Sequence, residues 1–424
     1  MKLSVAYNFD PALIPALAAY PGVTEVYGKL DRDIVGGGRS TYTLRPTSWS
    51  ALKSAINQAH RHHIAFNYLL NAAALNGMEQ TRAGQRAIRR FIDALEGIGV
   101  DNLTVASPYL LRLIKSRYPR FRVRIGVFAM VNDPAKAKSW EDMGADTLCI
   151  SATSCNRNFP LLSAIRQAVR CDLQLIANAS CLPSCTHELT HMNLMTASSR
   201  TGDGNKGFCL DYCFLHCSAK KLREPLNYIR STWIRPEDLA HYQRLGYSNF
   251  KLVERSCPTD LLMKRVAAYT SQSFDGNLLE IAGPVAQIGK QQGATAGQRI
   301  RMGMLMFRPF KIKISSLLKT KRYAQTILFS DFRKGHAPVY IENRALDGFL
   351  TGLMDRSCSN LLCSECGYCG VWADKAITMD ESYRAGALLL ADELDRGLLS
   401  GDHWFTSGRK FAQDKTGVMT PKSE

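Results

Sequence analysis

The residues best equipped for chemistry in this 424-residue chain are its 13 cysteines. Six fall between Cys181 and Cys257 and four between Cys358 and Cys369. The first group sits in NASCLPSCTHELTH (178–191) and GFCLDYCFLHC (207–217), with cysteines four apart on both sides of a glycine-rich polar loop. Two such pairs can supply four thiolates, and soft sulfur donors select tetrahedral zinc or an iron–sulfur cluster. The spacing favours iron–sulfur, because structural zinc usually takes its ligands from C-x₂-C knuckles. The plainer reading of a cysteine is a small buried hydrophobe, and it suits the isolated Cys149, Cys155 and Cys171.

The second group, Cys358, Cys363, Cys366 and Cys369, follows C-x₄-C-x₂-C-x₂-C. Two-residue gaps let successive thiolates point at one centre, as in cluster-binding loops. Zinc is the alternative there. The group either holds a second 4Fe–4S cluster or pins the chain end with a structural metal.

These residues need a frame. With 46% hydrophobic and 21% charged residues, the composition is that of an ordinary globular protein, and no run of 18 apolar residues offers a membrane span. Asp10 and Pro11 interrupt the apolar start before an export signal forms, so reduced thiols and a cytoplasmic location are expected. From residue 3 to 269, strand-like runs alternate with helical ones, which predicts a parallel sheet closed into a TIM-like (β/α)₈ barrel over 1–283. Nine runs compete for eight strands, and either YIRSTW (228–233) or the first run is surplus. Ligands of such barrels bind at the carboxyl ends of strands. That rule selects Arg39 beside Gly36, Gly37 and Gly38, then Asn67, Tyr68, Asn71, Asn178, Arg235, Glu254 and Arg255.

Beyond 283 the text turns basic, and a small β-containing module is expected over 284–345, built from RIRMGMLMF, KIKIS, QTILFS and APVYIEN. A helical, cysteine-rich region should follow over 346–424, with its last dozen residues disordered. The formal net charge is +17, and the segment from Arg299 to Lys334 holds ten Lys or Arg against Asp331 alone. With Phe307, Phe310, Tyr323, Phe329 and Phe332 interleaved, it is either a grip for RNA or a solvated surface.

EVYGKLDRDIVGGGRSTY, FNYLLNA, NASCLPSC with His187 and His191, DYCFLHC, STWIRPEDLAHYQRLGYSNFKLVER, AAYTSQSFDGNLLE, and NRALDGF with CSECGYC together resemble the U-32 collagenase-like peptidase family. Better-understood branches of that family are oxygen-independent hydroxylases: barrels with a four-cysteine 4Fe–4S cluster, acting on small molecules or RNA bases, some with an anionic oxygen donor. Other members are described as proteases. The resemblance implies an oxidoreductase with Cys181, Cys185, Cys213 and Cys217 as cluster ligands, Cys209 or Cys257 substituting. An anionic donor would be met by Arg235, Lys251 and Arg255. Arg39, Asn67, Tyr68, Asn71 and His191 would line the substrate site, the histidine behind the ligands. A collagenase-like hydrolase and a metal-stabilised nucleic-acid- or protein-binding module are the competing classes. The chain contains no G-x-S-x-G, and its H-E-x-x-H match, HELTH at 187–191, carries the two histidines expected to lie behind the cluster ligands or to pack the loop.

Overall fold

The computed structural model describes residues 1–424 except 204–206, 208, 285–311, 329–330, 355, 357, 359–362, 405–410, 414–418 and 422–424. Eight parallel strands close into a barrel in sequence order: β1 (Lys2–Ala6), β2 (Val23–Gly28), β3 (Ala65–Leu70), β4 (Asn102–Val105), β5 (Arg122–Ile125), β6 (Thr147–Cys149), β7 (Asp172–Ile176) and β8 (Asn249–Leu252). β8 returns to β1, pairing Ser4 with Lys251. Helices between the strands carry their apolar stripe inward. In Trp49–Arg61, Leu52, Ala55, Ile56 and Ala59 are buried, and the Ser48 hydroxyl caps the amino terminus by accepting from Ala51 N.

YIRSTW is the surplus run. Its first half belongs to the helix Leu226–Arg230, which starts on Pro225, and no strand forms after it. Pro225 carries helical dihedrals and lacks the N–H that a helix start leaves unpaired, so it suits that position.

The barrel interior is polar. Ser4, Asn67, Asn102 and both terminal nitrogens of Arg124 donate to Glu25, the last with its closest contact at 2.5 Å. Thr104 donates to Asn67 at 2.8 Å. Alternation along each strand aims these side chains inward while Val5, Val26 and Phe66 pack outward against the helices. Asn67, expected at the mouth, is therefore a strut of the interior, since β3 continues three residues beyond it. Tyr68 is corrected likewise. It faces the helical layer, 5.9 Å from the Phe91 ring, and its hydroxyl donates to Asp33 at 2.8 Å.

The region after the barrel carries a small antiparallel sheet, but among the described residues much of it is helical. Ile314–Ile327, which covers the end of KIKIS and the start of QTILFS, is a helix. It buries Tyr323 and Ile327 with Ala219 and Leu222 of the helix Tyr212–Arg223 and with Ala387, Ala391 and Leu394 of the helix Glu381–Ser400. Of the other runs, RIRMGMLMF lies outside the described residues, and APVYIEN holds a strand, Val339–Ile341, paired antiparallel with Ile377–Met379. The segments 284–345 and 346–424 thus interlock, and Val339, Ile341 and Phe349 join the barrel's own core. Near the chain end, where disorder is expected, Phe411–Gln413 pairs with Met419–Pro421. No described helix is long and apolar enough to cross a membrane.

Half of the basic segment's described cations are in ion pairs. Lys319 pairs with Glu393 at 2.8 Å, Arg333 with Asp331 at 2.8 Å and Lys334 with Glu342 at 3.7 Å. Tyr323 and Phe332 are buried, so neither ring is offered to a base. Phe307, Phe310 and Phe329 lie outside the described residues.

Candidate thiolate centre at the barrel mouth

Cys181 and Cys185 lie in the loop after β7, and Cys213 and Cys217 lie one turn apart on the helix Tyr212–Arg223. Residues four apart share a helix face, so Cys213, Cys217 and Lys221 form one stripe. Three contacts press the loop onto that helix. The Lys221 amine donates to the Ser180 carbonyl, the His187 ring lies 4.5 Å from His216, and the same ring lies 6.1 Å edge-on to Tyr212. Asp211 caps the helix by accepting from Phe214 N, and its other oxygen meets His191 Nε2 at 3.1 Å. His191 therefore ties the helix Glu188–Ser198 to the start of the thiol-bearing helix.

The four sulfurs feel one another. Burial first, then repulsion from Cys217 with lesser terms, pushes the Cys181 thiol up to about 11, although the residue itself reaches the surface. Burial and Asp211, with Cys185 and Cys217 behind them, push Cys213 to about 11. Burial, with Cys185 repelling and Lys221 opposing, raises Cys217. Among the described residues no three Cys, His, Asp or Glu side chains already stand in an arrangement that would hold a metal ion. Cys209 is buried and raised to about 12 by burial and Asp211. Cys257 belongs to the barrel core, raised to about 12 by burial beside Arg265 and Glu254.

Arg39 connects the thiols to the mouth. It donates to Glu254 at 2.6 Å, and although burial works against its charge, Glu254, Tyr27, Asp211 and Cys181 hold its pKa up. Glu254 adopts a φ of 103°, a strained conformation for a non-glycine residue just past β8. The three glycines before Arg39 allow close approach, but to protein. A Cβ on Gly37 would meet Ala72 N at 2.8 Å, one on Gly36 would meet Thr196 O at 2.5 Å, and one on Gly38 would sit 3.1 Å from Arg255 Nη2. The loop is wedged between β3's end and the helix Glu188–Ser198, roofing the mouth.

Beneath it lie buried cations. Arg255 is 5% exposed, its Nη2 has no hydrogen-bond partner, and burial lowers its pKa to about 10. The Asn71 amide oxygen nearby is also buried and unpartnered. Lys251 rests 3.9 Å above the Tyr27 ring centroid, and burial lowers its pKa to about 8. Lys29 stands 2.9 Å from Asp33 and joins Arg255, Arg45, Tyr7 and Asn8 in lining a narrow cleft.

Arg235 takes no part. It is 1% exposed and donates to Asp238 at 3.0 Å, to the Asn343 carbonyl at 2.8 Å and to Asp347 at 2.9 Å. It clasps the segment after β9, Val339–Ile341, onto the barrel, and has no nitrogen left for a ligand. Asn178 is structural too, exchanging hydrogen bonds with the Val253 backbone at 2.7 and 3.1 Å. Sequence reasoning passed over Lys221, Asp211 and Lys29. The four-residue step from Cys217 to Lys221 was the available signal for the first, whereas Lys29 beneath the loop had none.

The model of peptidase family U32 matches residues 29–268, which span the mouth, the glycine loop and all four central cysteines. This chain belongs to peptidase family U32. A U32 relative, an uncharacterized protease of Methanocaldococcus jannaschii, is 28% identical over 345 residues, covering 81% of this chain and 86% of its own. The solved U32 peptidase Mk0906 aligns with a TM-score of 0.44 at 18% identity, over 61% of this chain and 94% of that one. Phosphoribosyl anthranilate isomerase from Thermus thermophilus aligns with a TM-score of 0.35 at 10% identity, over 64% and 98%.

Proposed function

We propose that this U32 protein is an iron–sulfur redox enzyme of the oxygen-independent hydroxylase type, acting at the barrel mouth on a small molecule or an RNA base. The observation that carries the reading is the arrangement of Cys181, Cys185, Cys213 and Cys217 beside Arg39, which reaches from the thiols to Glu254 at the mouth. The donor set fits a cluster: four soft sulfurs on one loop and one helix face, with the Lys221 ammonium beside them to offset thiolate charge. When bound there, a 4Fe–4S cluster supplies electron transfer next to the substrate.

The chain's own residues do the rest. Arg255, with a free Nη2, and Lys29 attract an anionic group, such as the carboxylates of an oxygen donor, into the cleft. The wedged glycine loop keeps water off the mouth. Lys251, lowered to about 8 by burial, is poised to hold or release a proton near neutral pH.

A cysteine peptidase needs a thiol activated by a histidine, and among the described residues no cysteine sulfur is hydrogen-bonded to one. The deciding experiment purifies the protein without oxygen and compares it with C181S/C185S, then compares hydroxylated metabolites and nucleosides in cells carrying either gene. Loss of about four iron and four sulfide ions, with loss of one hydroxylated species, supports the proposal. Unchanged iron, or peptide cleavage by colourless protein, overturns it.

A further inference from the structure

The second cysteine group lies on the far side of the helix Leu226–Arg230, against which the helix Tyr368–Ala376 packs. Cys363 and Cys366 occupy one helical turn, Cys363–Cys366. Gly367 then takes a left-handed φ of 62°, and Cys369 is the second residue of the next helix, Tyr368–Ala376. That single left-handed residue turns the chain between two cysteines, as wrapping a loop around one centre requires.

An unexplained cation faces them. The Arg157 guanidinium is packed flat, its carbon 4.2 Å above the Trp233 ring and 5.1 Å above Phe349, with Nη1 donating to the Ile229 carbonyl at 2.5 Å. Its Nε and Nη2 are buried and have no hydrogen-bond acceptor among the described residues. Phe349 in turn stacks on Tyr368 at 5.7 Å and 16°, and the Tyr368 hydroxyl donates to the Phe349 carbonyl, which sets the ring beside Cys369. Burial works against the Arg157 charge, Cys369 is the first of the groups that favour it, ahead of Tyr242 and Cys358, and nothing in the barrel-mouth site uses this arginine. Buried N–H groups without acceptors call for one, and cluster sulfur is such an acceptor.

We propose that Cys358, Cys363, Cys366 and Cys369 bind a second 4Fe–4S cluster, to which Arg157 donates hydrogen bonds from its two free nitrogens. The C-x₂-C-x₂-C run favours this over zinc, which takes its thiolates in separated pairs. The site is independent of the reading given for the barrel mouth, and each can fail alone.

The test is metal and sulfide analysis, with electron paramagnetic resonance, on the anaerobically purified full chain, on C366S/C369S and on C181S/C185S. The wild type should carry about four iron and four sulfide ions more than C366S/C369S, whatever the mouth holds. C181S/C185S should keep the signal that C366S/C369S loses. Iron unchanged in C366S/C369S, or one zinc ion lost in place of iron, overturns the proposal. Should that variant fail to fold, Arg157→Met serves instead: iron content is retained while one of two reduction potentials falls, because a positive donor has left the cluster sulfur. Two unshifted potentials in Arg157→Met overturn the role of Arg157.

Discussion

The interior of the barrel and its mouth are both lined by charged side chains, yet the first is matched and the second is not. Inside, Glu25 faces Arg124 and collects donors from Ser4, Asn67 and Asn102 as well. At the mouth Lys29 pairs with Asp33 and Arg39 with Glu254, whereas Lys251 and Arg255 have no ion-pair partner among the described residues, and Arg255 Nη2 and Asn71 Oδ1 are left buried and unpaired. Each unpaired buried group costs about 1–3 kcal/mol. Inside the barrel the unpaired atoms, Arg124 Nε and Gln174 Oε1, belong to side chains whose other polar atoms are bonded, whereas at the mouth Arg255 Nη2 lies on a cation that a ligand's charge can meet.

Breaking the matched region should cost most. Glu25→Gln removes the counter-charge from a buried arginine, and the expected loss is about 3–5 kcal/mol of unfolding free energy in chemical denaturation. The Glu25 carboxyl is held below its usual range by Arg124 and its hydrogen-bond donors, which outweigh the burial that alone would raise it. Its contribution is therefore present above the unfolded pKa of about 4 and is lost as pH falls through the lower folded value. A variant as stable as the wild type at pH 7 would remove the distinction between the regions.

The mouth should respond in the opposite direction. Burial disfavours the Lys251 charge and lowers its pKa from the ordinary 10.5 to about 8 in the folded protein. Below pH 8 the fold carries the whole cost of that charge, and the cost fades as pH rises from the folded toward the unfolded pKa. Lys251→Met should stabilise by about 3 kcal/mol at pH 7, with a smaller gain at pH 9.5, as read from melting curves at the two pH values. A destabilised variant would mean that Lys251 belongs with the interior.

The smallest stability change, and the sharpest functional one, is expected for Arg255→Met. Removing an unpaired guanidinium should shift stability by no more than about 2 kcal/mol, while binding of a dicarboxylate probe, measured by calorimetry, should be lost. Retained binding would move the anion site away from the mouth.

How much of this could be read from the chain follows from how local each signal is. The strand–helix alternation is written in periods of two and 3.6 residues, so the helix Arg82–Gly97 and strand Ala65–Leu70 appear where the pattern puts them. The cysteine spacings are local as well, and so is the Cys213–Cys217 stripe. Short runs mixing β-branched, aromatic and polar residues carry no such signal: YIRSTW and QTILFS read as strands, and both lie partly in helices whose buried faces were set by distant partners.

By itself the sequence determined the barrel, the family and the two sets of thiols, because each depends on residues within a few positions of one another or on motifs in a fixed order. Only the tertiary structure decided which polar residues work. Arg235 follows a run that reads as a strand, a position suited to catalysis, yet no strand forms there and Asp347, 112 residues later, takes its guanidinium. Arg157 looks like any surface arginine until Trp233 and Phe349 close over it. A charge acquires its role from the partner that burial brings to it, and for these residues that partner lies far along the chain.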